Sequence, residues 1–186
     1  MKIALPEWME RVKPPQYADD ESVMRYVLAL AERNIEEGTG GPFGAALVDE
    51  NNRVIASGVN LVTSLKCSIL HAEIVTIMMA SERLGTWALA ERGRFTLVVS
   101  AEPCAMCLGA IPWAGIKRIV IGVRDEDVRA IGFDEGNKPK GWIEHYVSHG
   151  IDVTRDVLRN DGIKVLAAYV ASGAIIYNGD THELHD

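Results

Sequence analysis

The chain has 186 residues, of which 48% are hydrophobic and 24% are charged, and its formal net charge is −7 at pH 7. This length and composition predict one globular unit with a sizeable core, and no apolar run is long enough to span a bilayer. The excess of 26 acidic over 19 basic residues argues against general binding to nucleic acid, because such binding depends on Lys and Arg side chains that neutralise phosphates.

Patterns typical of helices and strands alternate along most of the chain. Residues 1–18, with three prolines, are predicted to form an N-terminal arm, and residues 173–186 a C-terminal tail, on either side of a folded unit at 19–172. A mixed five-stranded sheet with helices on both faces, a three-layer α/β/α architecture, fits this alternation. The elements predicted from apolar spacing, caps and turns are a helix that Asp19 or Asp20 caps and Gly38 ends, strands at 45–49 and 54–59, a helix at 71–84, a strand at 95–100, a helix at 104–113, a strand at 118–122, a helical turn at 125–130, a helix near 142–149, a strand near 151–156 and a helix at 161–172.

Two thiols are three positions apart where a predicted strand is followed by a helix. Cys104 and Cys107 follow Pro103, which suits the first turn of a helix because its missing N–H costs nothing there. At a helix N-terminus the free N–H groups and the helix dipole favour thiolate over thiol, so the pair can hold a metal ion through sulfur. Since an odd number of cysteines with this spacing does not make a disulfide framework, we expect a reducing compartment, the cytoplasm.

A histidine at the start of another predicted helix completes a metal-binding set. His71, Cys104 and Cys107 would supply one nitrogen and two sulfurs, and three protein ligands leave a tetrahedral zinc ion one position for water, as in a catalytic site. Glu73 is the predicted general acid and base. The combination H-x-E…P-C-x-x-C is the known signature of zinc deaminases. We therefore predict one zinc ion per chain with a bound water or hydroxide, iron being the alternative metal.

From about residue 20 to Asn178 the sequence resembles the cytidine deaminase superfamily, and within it the branch of bacterial guanine deaminases. The zinc motifs are shared across the superfamily, whereas Gly132-Phe-Asp-Glu135 is similar to the guanine deaminase branch in particular, since tRNA adenosine deaminases typically carry small residues there. The resemblance implies a cytidine deaminase-like fold and a homodimer. The matching segments are Gly41-Pro-Phe-Gly-Ala45, His71-Ala-Glu73, Glu102-Pro-Cys-Ala-Met-Cys-Leu-Gly-Ala-Ile111 and Gly132-Phe-Asp-Glu135.

The same resemblance implies an activity and roles for further residues. It implies zinc-dependent hydrolysis of guanine to xanthine and ammonia, with hydroxide attacking C2 of the free base. Asn60 would hydrogen-bond the base, and Glu135 would meet its amidine edge and act as a second proton shuttle. Phe43 and Trp113 would pack on the ring, and Tyr177 of the C-terminal tail would help to cap the pocket of its own chain or of a partner.

Alternatives remain at this stage for residues and for function. Asn60 could shape the turn after its strand, Glu135 could be a solvated loop carboxylate, and Phe43 and Trp113 could be core residues. The substrate could be a related ring such as ammeline, a triazine with the same amidine edge, or a nucleoside such as guanosine. A tRNA adenosine deaminase and a non-catalytic zinc module are further alternatives, of which the first is disfavoured by the negative charge.

Overall fold

Five strands form one mixed sheet in the computed structural model, which describes residues 3–12 and 16–178. The spatial order is β2-β1-β3-β4-β5; β1 is antiparallel to β2 and β3, whereas β3, β4 and β5 are parallel. The predicted mixed five-stranded sheet is therefore confirmed. The strands are β1 (Gly44–Val48), β2 (Val54–Val59), β3 (Thr96–Ala101), β4 (Arg118–Val123) and β5 (Asp152–Thr154).

Helices cover both faces of this sheet, which makes three layers. Helices α2 and α7 pack on one face, and α3, α4 and α6 pack on the other. No helix within the described ranges combines the length and apolarity needed to cross a membrane. The helices are α1 (Glu7–Glu10), α2 (Asp20–Glu36), α3 (Ala72–Leu84), α4 (Ala105–Trp113), α5 (Asp125–Ala130), α6 (Trp142–Ser148) and α7 (Arg159–Ala171), with a 3-10 turn at Leu89–Glu91.

Alternation of side chains along the central strands builds the two cores. On β3, Leu97 faces the α3 side whereas Val98 faces the α2 side, and on β4 the same holds for Ile119 and Val120. Successive side chains of a strand point to opposite faces, so strands that are apolar at every position require helices on both sides. The three-layer prediction is confirmed for this reason.

Two segments differ from the sequence-based expectation. Part of the predicted N-terminal arm forms helix α1, whose Met9 is buried against a cluster that includes Leu30 and Val59. The predicted strand near 151–156 is shorter, since it pairs with β4 only over Asp152–Thr154, and two residues later Asp156 has a left-handed φ of 66°. Helix α7 then begins at Arg159.

The register of the sheet gathers several chain segments at one edge. Gly44 at the start of β1 pairs with Val59 at the end of β2, and Ala45 pairs with Val99 near the end of β3. The start of β1 and the carboxyl ends of β2 and β3 therefore lie side by side. The parallel strand β4 ends at the same edge, since Val123 pairs with Ala101.

Candidate active site

A cavity of about 190 Å³ opens at this edge of the sheet. Its walls come from segments that lie far apart in sequence: the approach to β1, the residue after β2, the start of α3, the end of β3, the 132–135 loop and the C-terminal segment. The residues that line it are Phe43, Gly44, Asn60, Val62, Ser68, His71, Ala72, Glu73, Val99, Ser100, Ala101, Glu102, Cys104, Phe133, Asp134, Glu135, Tyr177 and Asn178.

Two helix N-termini bring together three candidate metal ligands. His71 is the N-cap residue of α3, Cys104 is the N-cap residue of α4, and Cys107 lies in the first turn of α4. One ligand atom from each lies within 4.8 Å of the others, and His71 Nδ1 is 3.5 Å from Cys104 Sγ. The two helices meet at the sheet edge because β3 leads directly into α4 and α3 packs on the neighbouring strands.

The electrostatics of this group favour a cation. A hydrogen bond from the Cys107 thiol lowers the pKa of Cys104 to about 4, with a further contribution from His71. The same contact with Cys104, together with burial, raises the pKa of Cys107. Burial is the largest single influence on the pKa of His71 and lowers it, but the hydrogen bond with Cys104 and the negative charges of Glu73, Cys104 and Glu135 together outweigh it, and the net shift is upward. A thiolate, a second thiol and an imidazole suit zinc, and three protein ligands leave a fourth position open.

Glu73 lies beside these ligands on the first turn of α3. Its side chain is buried, and burial together with the negative charge of Cys104 raises its pKa. Because Glu73 follows His71 by two residues at the start of the helix, its carboxyl group faces the same cavity. A carboxyl group with a raised pKa can accept and return a proton near neutral pH.

Asn60 follows β2 and is almost fully buried. Its Oδ1 accepts hydrogen bonds from the backbone N–H groups of Val62 at 3.2 Å and Gly41 at 3.4 Å. With the oxygen used in this way, Nδ2 is the atom of the amide that can donate to a ligand in the cavity. The local turn role and the binding role considered for Asn60 are thus compatible.

Glu135 lines the cavity and is paired with Lys138 behind it. Burial raises the pKa of Glu135 to about 7, and the positive charge of Lys138 acts in the opposite direction. Lys138 Nζ lies 3.7 Å from Glu135 Oε2 and 2.7 Å from Asp125 Oδ1. It also lies 3.4 Å from Oε1 of the buried Glu102, which pairs with Arg155 at 2.6 Å. Glu135 is therefore a buried carboxyl group held in a charged network and not a solvated loop residue.

Aromatic side chains enclose the remaining side of the cavity. Phe133 packs edge-to-face with Phe43 at a centroid distance of 5.2 Å and with Tyr177 at 5.0 Å. The hydroxyl of Tyr177 is buried and has no hydrogen-bond partner within residues 3–12 and 16–178. The segment that carries Tyr177 is held by its own chain, because Asn178 Oδ1 accepts from Asp134 N at 2.8 Å and its Nδ2 donates to Gly132 O at 3.0 Å.

Trp113 does not lie in this cavity, so the expectation that it packs on the ring is wrong for the pocket of one chain. It is the last residue of the nine-residue helix α4, which starts at the cavity and runs away from it. At 1.5 Å per residue, this length carries Trp113 roughly 13 Å along the helix axis. Its side chain is 85% exposed, beside a separate groove that includes Trp142.

Sequence reasoning also missed several residues of the site. Phe133 lies inside the Gly132-Phe-Asp-Glu135 motif, where its aromatic character was the available signal. Glu102 directly precedes the Pro-Cys pair, and its burial could have been suspected from that position. Lys138 and Asn178 carried no sequence signal, because their contacts depend on loops that only the fold brings together.

Comparison with known proteins gives a consistent family assignment. Residues 17–123 match the family described as the cytidine and deoxycytidylate deaminase zinc-binding region. The chain is 37% identical to the guanine deaminase of Bacillus subtilis over 115 residues, which cover 62% of this chain and 71% of the relative. It is 34% identical to the tRNA-specific adenosine deaminase of Haemophilus influenzae over 151 residues, which cover 81% of this chain and 82% of that relative.

Solved structures extend this similarity over almost the whole fold. The guanine deaminase from Nitrosomonas europaea is 39% identical, with a TM-score of 0.88 and coverage of 92% of this chain and 96% of that one. The structure of NE0047 in complex with 2,6-diaminopurine is 40% identical, with a TM-score of 0.89 and coverage of 95% and 96%. The second of these structures contains 2,6-diaminopurine, a purine.

Proposed function

Because the chain belongs to the cytidine deaminase superfamily, and within it to the branch of the bacterial guanine deaminases, we propose that it hydrolyses guanine to xanthine and ammonia. The chain is a hydrolytic deaminase, and its substrate is a small heterocycle. The observation that carries the choice of guanine is one small cavity that His71, Cys104 and the buried Glu73 line together with Asn60 and Glu135, two side chains suited to a purine. The third candidate ligand, Cys107, lies behind Cys104.

In this proposal His71, Cys104 and Cys107 hold one zinc ion per chain. The chemistry of the donors supports the assignment, since an imidazole nitrogen and two sulfurs within 4.8 Å of one another match the ligands and spacing that zinc requires. When bound, zinc supplies an activated water by lowering the pKa of that water from 15.7 to about 7.

Glu73 is the proposed general base and acid. Glu73 takes a proton from the attacking water and returns it to the guanine ring. A C–O bond forms at C2 and the C–N bond to the amino group breaks. The second proton of the water leaves with the amino group as ammonia. Its burial next to the candidate metal ligands and its raised pKa support this role. Glu135 is the proposed second proton shuttle, supported by a pKa of about 7 in the same cavity.

Recognition of guanine would use both a hydrogen-bond acceptor and a hydrogen-bond donor of the protein. Glu135 can accept hydrogen bonds from the N–H groups on the amidine edge of guanine, whereas Asn60 Nδ2 can donate to an oxygen or nitrogen acceptor on the ring. Phe43 offers an aromatic surface at one wall. The Tyr177 hydroxyl, which has no hydrogen-bond partner in the described part of the chain, supports a capping role for the C-terminal segment, since a buried hydroxyl normally finds a partner.

The size of the cavity favours a free base over the alternatives. Its volume of about 190 Å³ is below the roughly 300 Å³ at which pockets for drug-sized ligands begin, and a ribose or an RNA strand would need more room. The net charge of −7 also argues against a tRNA substrate. Ammeline remains the closest competitor, since it is small and has the same amidine edge.

A substrate panel tests this proposal. The zinc-loaded protein is incubated with guanine, ammeline, guanosine, cytosine, adenine and a tRNA anticodon stem-loop, and ammonia and each deaminated product are quantified. We expect the highest kcat/KM for guanine. A higher kcat/KM for ammeline or guanosine would make that compound the assigned substrate. Turnover of the RNA alone would replace guanine deamination with tRNA deamination as the assigned activity.

We extend the proposal to assembly and location. A homodimer is supported by helix α4, which leaves Met106 38% and Trp113 85% exposed beside the groove at Trp142. A reducing compartment, the cytoplasm, is supported by three cysteines that are all free thiols, two of them in the candidate zinc site.

A further inference from the structure

A fully buried amide joins the two backbone segments that lead into the cavity. Asn34 lies on the inner face of α2, with 0% of its surface exposed. It is not among the residues that line the cavity, so any effect on a ligand must pass through its neighbours. A buried asparagine on a helix whose inner face is otherwise apolar requires an explanation.

Each polar atom of this side chain is used. Asn34 Nδ2 donates to the carbonyl oxygens of Gly41 at 2.8 Å and Asn60 at 2.9 Å. Its Oδ1 accepts a hydrogen bond from Thr39 Oγ1 at 2.6 Å, and that hydroxyl in turn accepts from Trp8 Nε1 at 3.2 Å. One amide group therefore bridges the glycine-rich segment before β1 and the residue after β2.

The glycine-rich segment before β1 is in contact with Asn60, and this contact helps to set the direction of the Asn60 side chain. A Cβ atom on Gly40 would overlap the Asn60 carbonyl, so the backbones are in direct contact. Asn60 N donates to Phe43 O at 3.0 Å, and Asn60 Oδ1 accepts from Gly41 N. The orientation of Asn60 Nδ2 thus depends on the position of Gly41 relative to Asn60. Asn34 fixes this relative position because it donates to the carbonyl oxygens of both residues.

We propose that Asn34 is a positioning residue for recognition of the base, which acts by holding Gly41 and Asn60 together. An apolar replacement would leave the buried Asn60 carbonyl oxygen without its donor, whereas Gly41 O would lose Asn34 and keep Phe43 N at 2.8 Å. The segments would then separate to reach other donors, and the Asn60 amide would turn with them. The proposal rests on the proposed function only in naming guanine as the ligand.

A double-mutant cycle separates this role from a purely structural one. We compare kcat and KM for guanine in the wild type, Asn34→Ala, Asn60→Ala and the double variant, with active concentration set by bound zinc. We expect Asn34→Ala to lower kcat/KM by roughly 10- to 100-fold, mainly through KM. The same change in the Asn60→Ala background should have less than about a twofold effect, because the two residues act as one unit.

Tyr26→Phe is the matched control. Tyr26 lies on the same helix and bonds Ser57 on β2 at 3.0 Å, away from the cavity. Its removal costs one hydrogen bond without touching Gly41 or Asn60, so kcat/KM should stay within about twofold of the wild type. If Asn34→Ala lowers kcat/KM by the same factor in both backgrounds, Asn34 does not act through Asn60 and the proposal is overturned.

Amide hydrogen exchange tests the same proposal without any substrate. In Asn34→Ala we expect faster exchange at 40–44 and 60–62, with protection in α3 unchanged. Unchanged exchange in those segments overturns the proposal whatever the substrate is. A wild type that does not turn over guanine but shows the expected exchange pattern overturns the proposed function alone and supports the positioning role.

Discussion

At the scale of single residues, the buried carboxylates Glu102 and Glu135 at the cavity are balanced by nearby cations. Lys138 has only 9% of its side chain exposed and lies within 4.0 Å of Glu102, Asp125 and Glu135. A buried cation among carboxylates compensates charges that would otherwise be costly to remove from water. It therefore ties the loop of Glu135 to the segment that leads into Cys104.

We expect Lys138→Met to destabilise the fold by about 3 kcal/mol, at the lower end of the values for breaking a buried ion pair. The effect is limited because Glu102 keeps Arg155 and Asp125 keeps Arg129. Urea unfolding measures it, with Lys140→Met as the control at an exposed neighbouring lysine. Equal midpoints for the two variants would show that the network contributes nothing to stability.

The candidate metal ligands and Glu73 could be predicted from the sequence, but the contacts that support them could not. His71, Glu73 and the two cysteines occupy short fixed spacings at helix starts, so their convergence could be predicted. Asn34 could have been noticed as a polar residue on the apolar stripe of α2, three positions after Ala31, but its partners could not. Those partners depend on the pairing of β1 with β2 and β3.

At the scale of elements, the position of α3 controls the histidine and the glutamate of the site. Helix α3 packs closely on β2 at Gly58, where a Cβ atom would lie 2.7 Å from Thr76 N and 2.8 Å from Ala72 O. Ala72 lies between His71 and Glu73. A small displacement of this helix would therefore move a candidate ligand and the candidate base together.

Gly58→Ala should therefore lower both stability and zinc affinity. Forcing α3 away from β2 is an overpacking change that costs about 1–3 kcal/mol. Thermal unfolding and a competitive zinc titration measure the two effects. Gly109→Ala is the matched control, since nothing lies within 4 Å of its Cβ position, and helix propensity favours alanine there. A Gly58→Ala protein as stable as the control would contradict the close packing.

The elements themselves were largely predictable, and the exceptions have local causes. The long periodic segment of α2 begins where Asp19 accepts a hydrogen bond from Ser22 N at 2.8 Å, as its capping pattern indicates. Helix α1 was not predicted, because four residues with one buried side chain give no periodic signal. The expectation for Trp113 came from the family resemblance, and the cavity of one chain does not include this residue.

At the scale of the whole molecule, metal binding and folding should be coupled. The proposed ligands join α3, α4 and the end of β3, so a bound ion would link elements on one face of the sheet. A ligand that binds only the folded state stabilises it by about 4 kcal/mol at a thousand times its Kd. For a chain of this size that corresponds to a shift in Tm of roughly 10 °C.

Zinc removal should accordingly lower Tm by roughly 10 °C, and zinc addition should restore it. Calorimetry with and without a chelator measures the change. Cys107→Ser should abolish the response, whereas Cys67→Ser, which changes a thiol outside the proposed ligand set, should keep it. A Tm that does not respond to the chelator in the wild type would contradict a zinc site at these residues.

The proposed homodimer is a further prediction at this scale. Light scattering at micromolar concentration should give twice the chain mass of 20.4 kDa. Trp113→Glu should shift the mass toward the monomer, because it places a charge on the exposed end of α4. Trp87→Glu is the control, since Trp87 is 82% exposed outside that helix. A monomer mass for the wild type would refute the homodimer.

The proposed deamination of guanine, with Glu73 as the group that transfers the proton, is tested by measuring both products. Xanthine and ammonia are quantified from guanine with the zinc-loaded wild type, with Glu73→Gln, and with Glu82→Gln as a control at an exposed glutamate of the same helix. We expect equal amounts of both products, loss of turnover in Glu73→Gln and full turnover in Glu82→Gln. Guanine left unchanged by the zinc-loaded wild type, or turned over equally by Glu73→Gln, would contradict this proposal.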